Sequence, residues 1–108
     1  MNNQENPTYI SDNVSSSQCV VKNPATAYTV LPGDNVIICG ANSLAITLDA
    51  NSNSPVYITS IDGTTQRTGC TIVVGSQDFV IADGGCAALC LRIAEGSSWM
   101  VIGAKTAS

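Results

Sequence analysis

The chain contains no histidine, and its 108 residues include only 4 Lys and Arg against 8 Asp and Glu. Without an imidazole there is no Ser–His–Asp or Cys–His arrangement, and the side chain that most often ligates zinc or acts as general base is missing. Charged residues make up 11% of the chain, against roughly 25% in ordinary soluble domains. Lys22, Arg67, Arg92 and Lys105 are scattered, whereas phosphate backbones and anionic bilayers are bound by clustered cations. Nucleic acid and membrane are therefore excluded as partners. No apolar run reaches the 18 or so residues of a spanning helix, and the opening MNNQENPT lacks the basic and apolar regions of a secretory signal. Aromatic rings are few: Tyr9, Tyr28, Tyr57, Phe79 and Trp99.

Ser, Thr, Asn and Gly stand where charged helix formers would otherwise be, which supplies turn formers and β-tolerant residues. Met1 to Thr26 is polar and holds few large apolar side chains. It reads as an N-terminal arm, ordered only against another surface. From Ala27 to Ser108 short apolar runs alternate with turns. The runs are AYTVL (27–31), NVIIC (35–39), LAITL (44–48), PVYITS (55–60), CTIVV (70–74), DFVI (78–81), ALCLRI (88–93) and WMVIG (99–103). PGD, GANS, NSNS, DGTTQRTG, GSQ, DGG and EGSS separate them. This rhythm predicts an all-β domain, a compact antiparallel sandwich or barrel of about eight short strands behind the extended arm.

Alternation assigns faces. Leu44, Ile46 and Leu48 form one stripe, as do Phe79 with Ile81, and Leu89 with Leu91 and Ile93. Two strands are apolar on both faces: Val36, Ile37 and Ile38 before Cys39, and Trp99, Met100, Val101 and Ile102. In a small antiparallel domain one such face would stay wet, so these seven residues are the candidate interface, covered by the arm or a neighbouring subunit.

The search for chemistry returns little. Of five cysteines, Cys86 and Cys90 are the only close pair, with no second pair to complete a zinc site. An extended path between these two would span about 13 Å, too far for a disulfide. Cys39, Cys70, Cys86 and Cys90 are candidate buried thiols or disulfide partners, and because Cys19 makes the count odd, at least one thiol is free or pairs between chains. Asp34, Asp62 and Asp83 sit beside turn glycines, where a carboxylate ordinarily caps local amides. The glycines match no phosphate-binding pattern. Trp99 reads as a core or interface anchor ahead of a sugar-binding shelf. No catalytic residue, metal or cofactor is expected.

The order of AYTVLPGDNVIIC, LAITLDA, SPVYITSIDGTTQRTGCTIVV, DFVIADGG and LCLRIAEGSSWMVIG resembles the β module common in bacteriophage tail-fibre and virion-appendage proteins. The resemblance covers about Ala27 to Gly103. Asp49 stands where that module usually has proline, EGSS replaces the usual DG before the tryptophan, and five cysteines exceed its norm. The resemblance implies a virion structural protein, commonly homotrimeric, without catalysis, assembled in the host cytoplasm. A 108-residue chain opening on Met1 lacks room for a fibre stalk. The expectation is therefore a capsid decoration or cement protein binding the major capsid protein. Three alternatives stand beside it: a tail-fibre module for host attachment, a lectin-like domain, and an enzyme built on Asp62 or Asp83.

Overall fold

A computed structural model of the chain describes residues 19–81, 87–93 and 98–106. None of these residues is helical, and strands carry the fold. In chain order they are β1 (Val21–Lys22), β2 (Tyr28–Thr29), β3 (Val36–Ile38), β4 (Ala45–Leu48), β5 (Val56–Thr59) and β6 (Ile61–Asp62). They continue with β7 (Thr65–Gln66), β8 (Thr71–Val74), β9 (Gln77–Ile81), β10 (Ala87–Arg92), β11 (Trp99–Ile102) and β12 (Ala104–Thr106). One sheet has the order β1-β3-β5-β10-β11 and the other β2-β4-β8-β9-β12, while β6 and β7 pair in a small ribbon of their own.

The two orders match position for position, so the chain builds levels, each contributing a strand to each sheet. It passes from β1 to β2, returns to lay β3 on β1, and crosses again to lay β4 on β2. These returns make β1–β3, β3–β5, β2–β4 and β4–β8 parallel pairs. The two-residue turn between Val74 and Gln77 then reverses the winding, helped by Gly75 at φ +62°. Every later pair is antiparallel: β8–β9, β5–β10, β10–β11 and β9–β12.

Corners stack as the strands do. The Gly40 amide donates to Pro24 O at 2.8 Å, joining the corner of one level to the corner below. A Cβ on Gly40 would lie 2.7 Å from that same oxygen, so only glycine admits this approach. Ser43 N donates to Thr68 O at 2.7 Å one level further on. At the opposite corner Asn53 N donates to Leu31 O, and Asn35 and Val36 both donate to Val20 O.

The core is one cluster drawn from both sheets. Ile37, Val56, Ile58, Ala88 and Cys90 come from the first sheet, and Ile46, Leu48, Ile72 and Ile81 from the second; Val30, Cys39, Leu44 and Cys70 close the edges. Tyr28, Val74, Phe79, Trp99, Val101 and Ala104 pack around it.

All eight apolar runs contain strands, yet the antiparallel expectation needs correction, because both sheets are mixed and their first three strands run parallel. Alternation in a sequence reports that one face of a strand is buried, and it does so regardless of the neighbour's direction. GANS turns the chain into the opposite sheet rather than back along its own, and a corner uses the same residues as a hairpin. The strand count also exceeds eight: β1, the β6–β7 ribbon and β12 lie outside the apolar runs. The arm was drawn to Thr26, but its last part joins the fold as β1, an edge strand beside β3. The remainder, residues 1–18, lies outside the described residues.

Candidate assembly face

The register defines what each side of the first sheet presents. Val21, Val36, Tyr57, Leu89 and Ile102 are successive partners across all five strands. The neighbouring row Lys22, Ile37, Ile58 and Ala88 points the other way, into the core, apart from Lys22 at the edge. Because strand side chains alternate, Ile38, Thr59 and Ala87 lie on the same outward side, as do Leu91 and Met100. Val21, Tyr57 and Ile102 are each about half exposed, at 49%, 50% and 49%, and Met100 at 43%. No charged residue stands in these outward rows.

The second sheet is its opposite in character. Its outward rows are Thr29, Thr47, Val73 and Asp78, and Ala45, Thr71, Val80 and Lys105. Threonine favours strands while keeping a hydroxyl for water. One face of the molecule thus carries hydroxyls and charge, whereas the other presents a connected, partly exposed apolar surface.

The seven predicted interface residues divide. Val36, Ile38, Met100 and Ile102 do face outward. Ile37 does not: it is wholly buried in the core. Trp99 and Val101 turn inward and pack against the core. The strands VIIC and WMVI are apolar on both sides because one side feeds the core and the other the outer face. Val21, Tyr57, Leu89 and Leu91, which were not among the seven, also lie on the outward side. Leu89 and Leu91 were placed on a buried stripe with Ile93, but Ala88 and Cys90 occupy the core from that strand, while Ile93 is exposed. The available signal was the second apolar set in ALCLRI and the Tyr57 set between Val56 and Ile58.

Lys22, at the edge of the inward row, closes one end of the stack together with a buried carboxylate. Asp34, 1% exposed, accepts from Tyr28 Oη at 2.6 Å, Leu31 N at 2.9 Å and Lys22 Nζ at 2.8 Å. Burial opposes its charge, but the Lys22 ammonium, the Tyr28 hydroxyl and the Leu31 amide together hold its pKa below the usual carboxylate value. Lys22 is raised in turn, chiefly by its hydrogen bond to Asp34. Asp34 therefore acts as the turn-capping group its place in PGD predicts. Asp62 pairs with Arg67 at 3.0 Å across the β6–β7 ribbon, and Asp83 lies outside the described residues. Among the described residues no three His, Cys, Asp or Glu side chains cluster closely enough to hold a metal.

Cys39, Cys70 and Cys90 are wholly buried free thiols, Cys19 is an exposed one, and Cys86 lies outside the described residues. Burial pushes Cys39 up to about 12, with adjacent Cys70 adding to the effect, and pushes Cys90 up to about 12 as well. Both remain protonated near neutrality, and a thiol is a poor nucleophile.

Trp99 is covered rather than offered. The Arg92 guanidinium lies 4.9 Å from its ring centroid, and the same group donates to the carbonyls of Ala50, at 3.1 Å, and Ser52. Ser52 is itself buried, its hydroxyl donating to Val30 O at 2.8 Å. Trp99, Arg92 and the 49–54 corner form one packed unit. No protein family model matches the chain, and comparison with curated proteins and with solved structures found no match.

Proposed function

We propose that this chain is a non-enzymatic structural subunit of a virus particle, a homotrimer that decorates and cements the capsid shell against the major capsid protein. The observation that carries the reading is the division of its surface: an uncharged apolar face across all five strands of one sheet, and on the other a face that mixes Thr29, Thr47 and Thr71 with Asp78, Lys105 and small apolar groups. A subunit designed to be covered on one side and wetted on the other has this form. The resemblance of Ala27 to Gly103 to phage appendage modules supports the same class of role, and supports a tail-fibre or appendage module for host attachment as the second reading. A lectin-like role is disfavoured, because Arg92 occupies the face of the Trp99 ring that a sugar would need.

Electron microscopy of particles assembled with and without the protein tests the assignment. Extra density over the shell, with particles that break at lower temperature when it is absent, is the expected outcome. Copies confined to the tail would select the appendage reading. Absence from particles altogether would remove both.

A further inference from the structure

We propose that copies of this chain meet through the outer face of the first sheet, with Tyr57 at the centre of the contact. The inference deepens the assembly reading above and rests on it, but it names a surface that the reading alone does not.

Position comes first. β5 is the middle strand of the order β1-β3-β5-β10-β11, and Tyr57 is the middle member of the row Val21, Val36, Tyr57, Leu89, Ile102. A half-exposed tyrosine ringed by aliphatic side chains is the residue type and placement in which contact energy concentrates, because the ring loses little rotamer freedom and the surrounding groups keep water out.

Charge selects the occupant. The chain carries a net charge of −4, so two copies repel wherever their charged surfaces approach. The outward rows of the first sheet hold no charge of either sign, and a face without charge is compatible with itself. A strongly charged partner would find nothing to pair with there, whereas a second copy meets the same aliphatic and aromatic groups it presents. By contrast, the second sheet places Asp78 and Lys105 in its outward rows.

Area sets the strength. Five strands at about 4.8 Å spacing, contacted over about five residues of length, give a footprint of roughly 400 Å². That is the size of the largest apolar patch on an ordinary monomer, a patch that is often functional. Counted on both copies it comes to roughly 800 Å², short of the roughly 1,200 Å² at which specific contacts begin, so the contact is a weak one. Association should therefore depend on concentration, and because it works against like net charge it should strengthen as salt rises.

Sedimentation of the full chain over a concentration series, with Tyr57→Glu and Thr47→Glu compared, tests the proposal. The wild type is expected at the mass of three chains, and Thr47→Glu, on the opposite face, should match it. Tyr57→Glu should associate at least about 100-fold more weakly while keeping the wild-type circular dichroism spectrum. If Tyr57→Glu fails to fold, nitration of the wild type by tetranitromethane, read by peptide mass spectrometry, decides instead. Tyr57 should react at least about 10-fold more slowly where the trimer dominates than after dilution to monomer. A trimer that survives Tyr57→Glu, or in which Tyr57 reacts equally at both concentrations, overturns this face and leaves the assembly reading standing. A wild-type monomer at every concentration overturns both. A monomer whose Tyr57 is already protected means that the chain covers its own face, which also overturns the proposal.

Discussion

Adjacent isoleucines in β3 should behave as residues of two different kinds. Ile37 is 0% exposed inside the cluster shared by the two sheets, while Ile38 lies half-buried on the outer face. Replacing Ile37 with alanine removes three carbon groups at about 0.8 kcal/mol each and leaves a cavity that a two-sheet core relaxes into only partly. The expected loss is about 3–4 kcal/mol, within the range for such truncations. For a domain of this size, 1 kcal/mol corresponds to about 4–8 °C, so melting should fall by roughly 12–30 °C. Ile38→Ala leaves no closed cavity and should cost about 1 kcal/mol or less in the separated subunit. Because assembly itself adds apparent stability in proportion to concentration, both substitutions belong in the Tyr57→Glu background, followed by urea unfolding at two protein concentrations. Equal losses at the two positions would refute the assignment of faces, and a larger loss at Ile38 would reverse it.

Four further outcomes follow from the same geometry. Asp34 has a depressed folded-state pKa, so its contribution is present above the ordinary carboxylate value near 3.8 and is lost as pH falls through the lower folded value; Asp34→Asn should cost about 2–3 kcal/mol at pH 7 and flatten the acid limb of a stability–pH curve. Lys22 has the opposite sign, its contribution being complete below 10.5 and lost as pH rises through its raised value, and an alkaline limb unchanged in Lys22→Met would count against this. A thiol reagent at pH 8 should modify the exposed Cys19 in the folded protein while Cys39, Cys70 and Cys90 react only on unfolding, and Cys90 modified as fast as Cys19 would contradict its burial. Gly40→Ala should destabilise by about 1–3 kcal/mol, because its Cβ and Pro24 O cannot both keep their positions; a neutral substitution, measured by denaturant unfolding, would mean that the corners do not stack as closely as described.

Much of this was legible before any coordinates. The apolar runs became strands, the turn residues became corners, and Leu44, Ile46, Leu48 and Ile81 went to the core as their alternation required. The direction of neighbouring strands was not legible, because the stripe in LAITL has the same spacing whether β8 runs with it or against it. β1, β6, β7 and β12 are short segments whose pairing comes from position in the stack rather than from their own apolar content. The face was the hardest part. Four apolar residues in succession drew attention to VIIC and WMVI, yet half of each set serves the core, and the outer surface is completed by strands that look ordinary in isolation.

ALCLRI shows why. Size alone argues that Leu89 and Leu91 belong inside and that Ala88 and Cys90 belong outside, since a buried leucine gains more from leaving water than a buried alanine does. The fold does the reverse. Ala88 faces a core already filled by Ile58 on the paired strand, and Cys90 stands between Val56 and Val101, so small groups fit where larger ones would overpack. The leucines are then left on the outside, beside Tyr57, Met100 and Ile102. Nothing in the folding of a single chain requires leucine at those outward positions, because Thr47 and Thr71 serve outward positions of the second sheet with the same strand preference and no apolar exposure. Two sheets in one molecule, built on the same winding and surfaced differently, are what the proposed contact between copies accounts for.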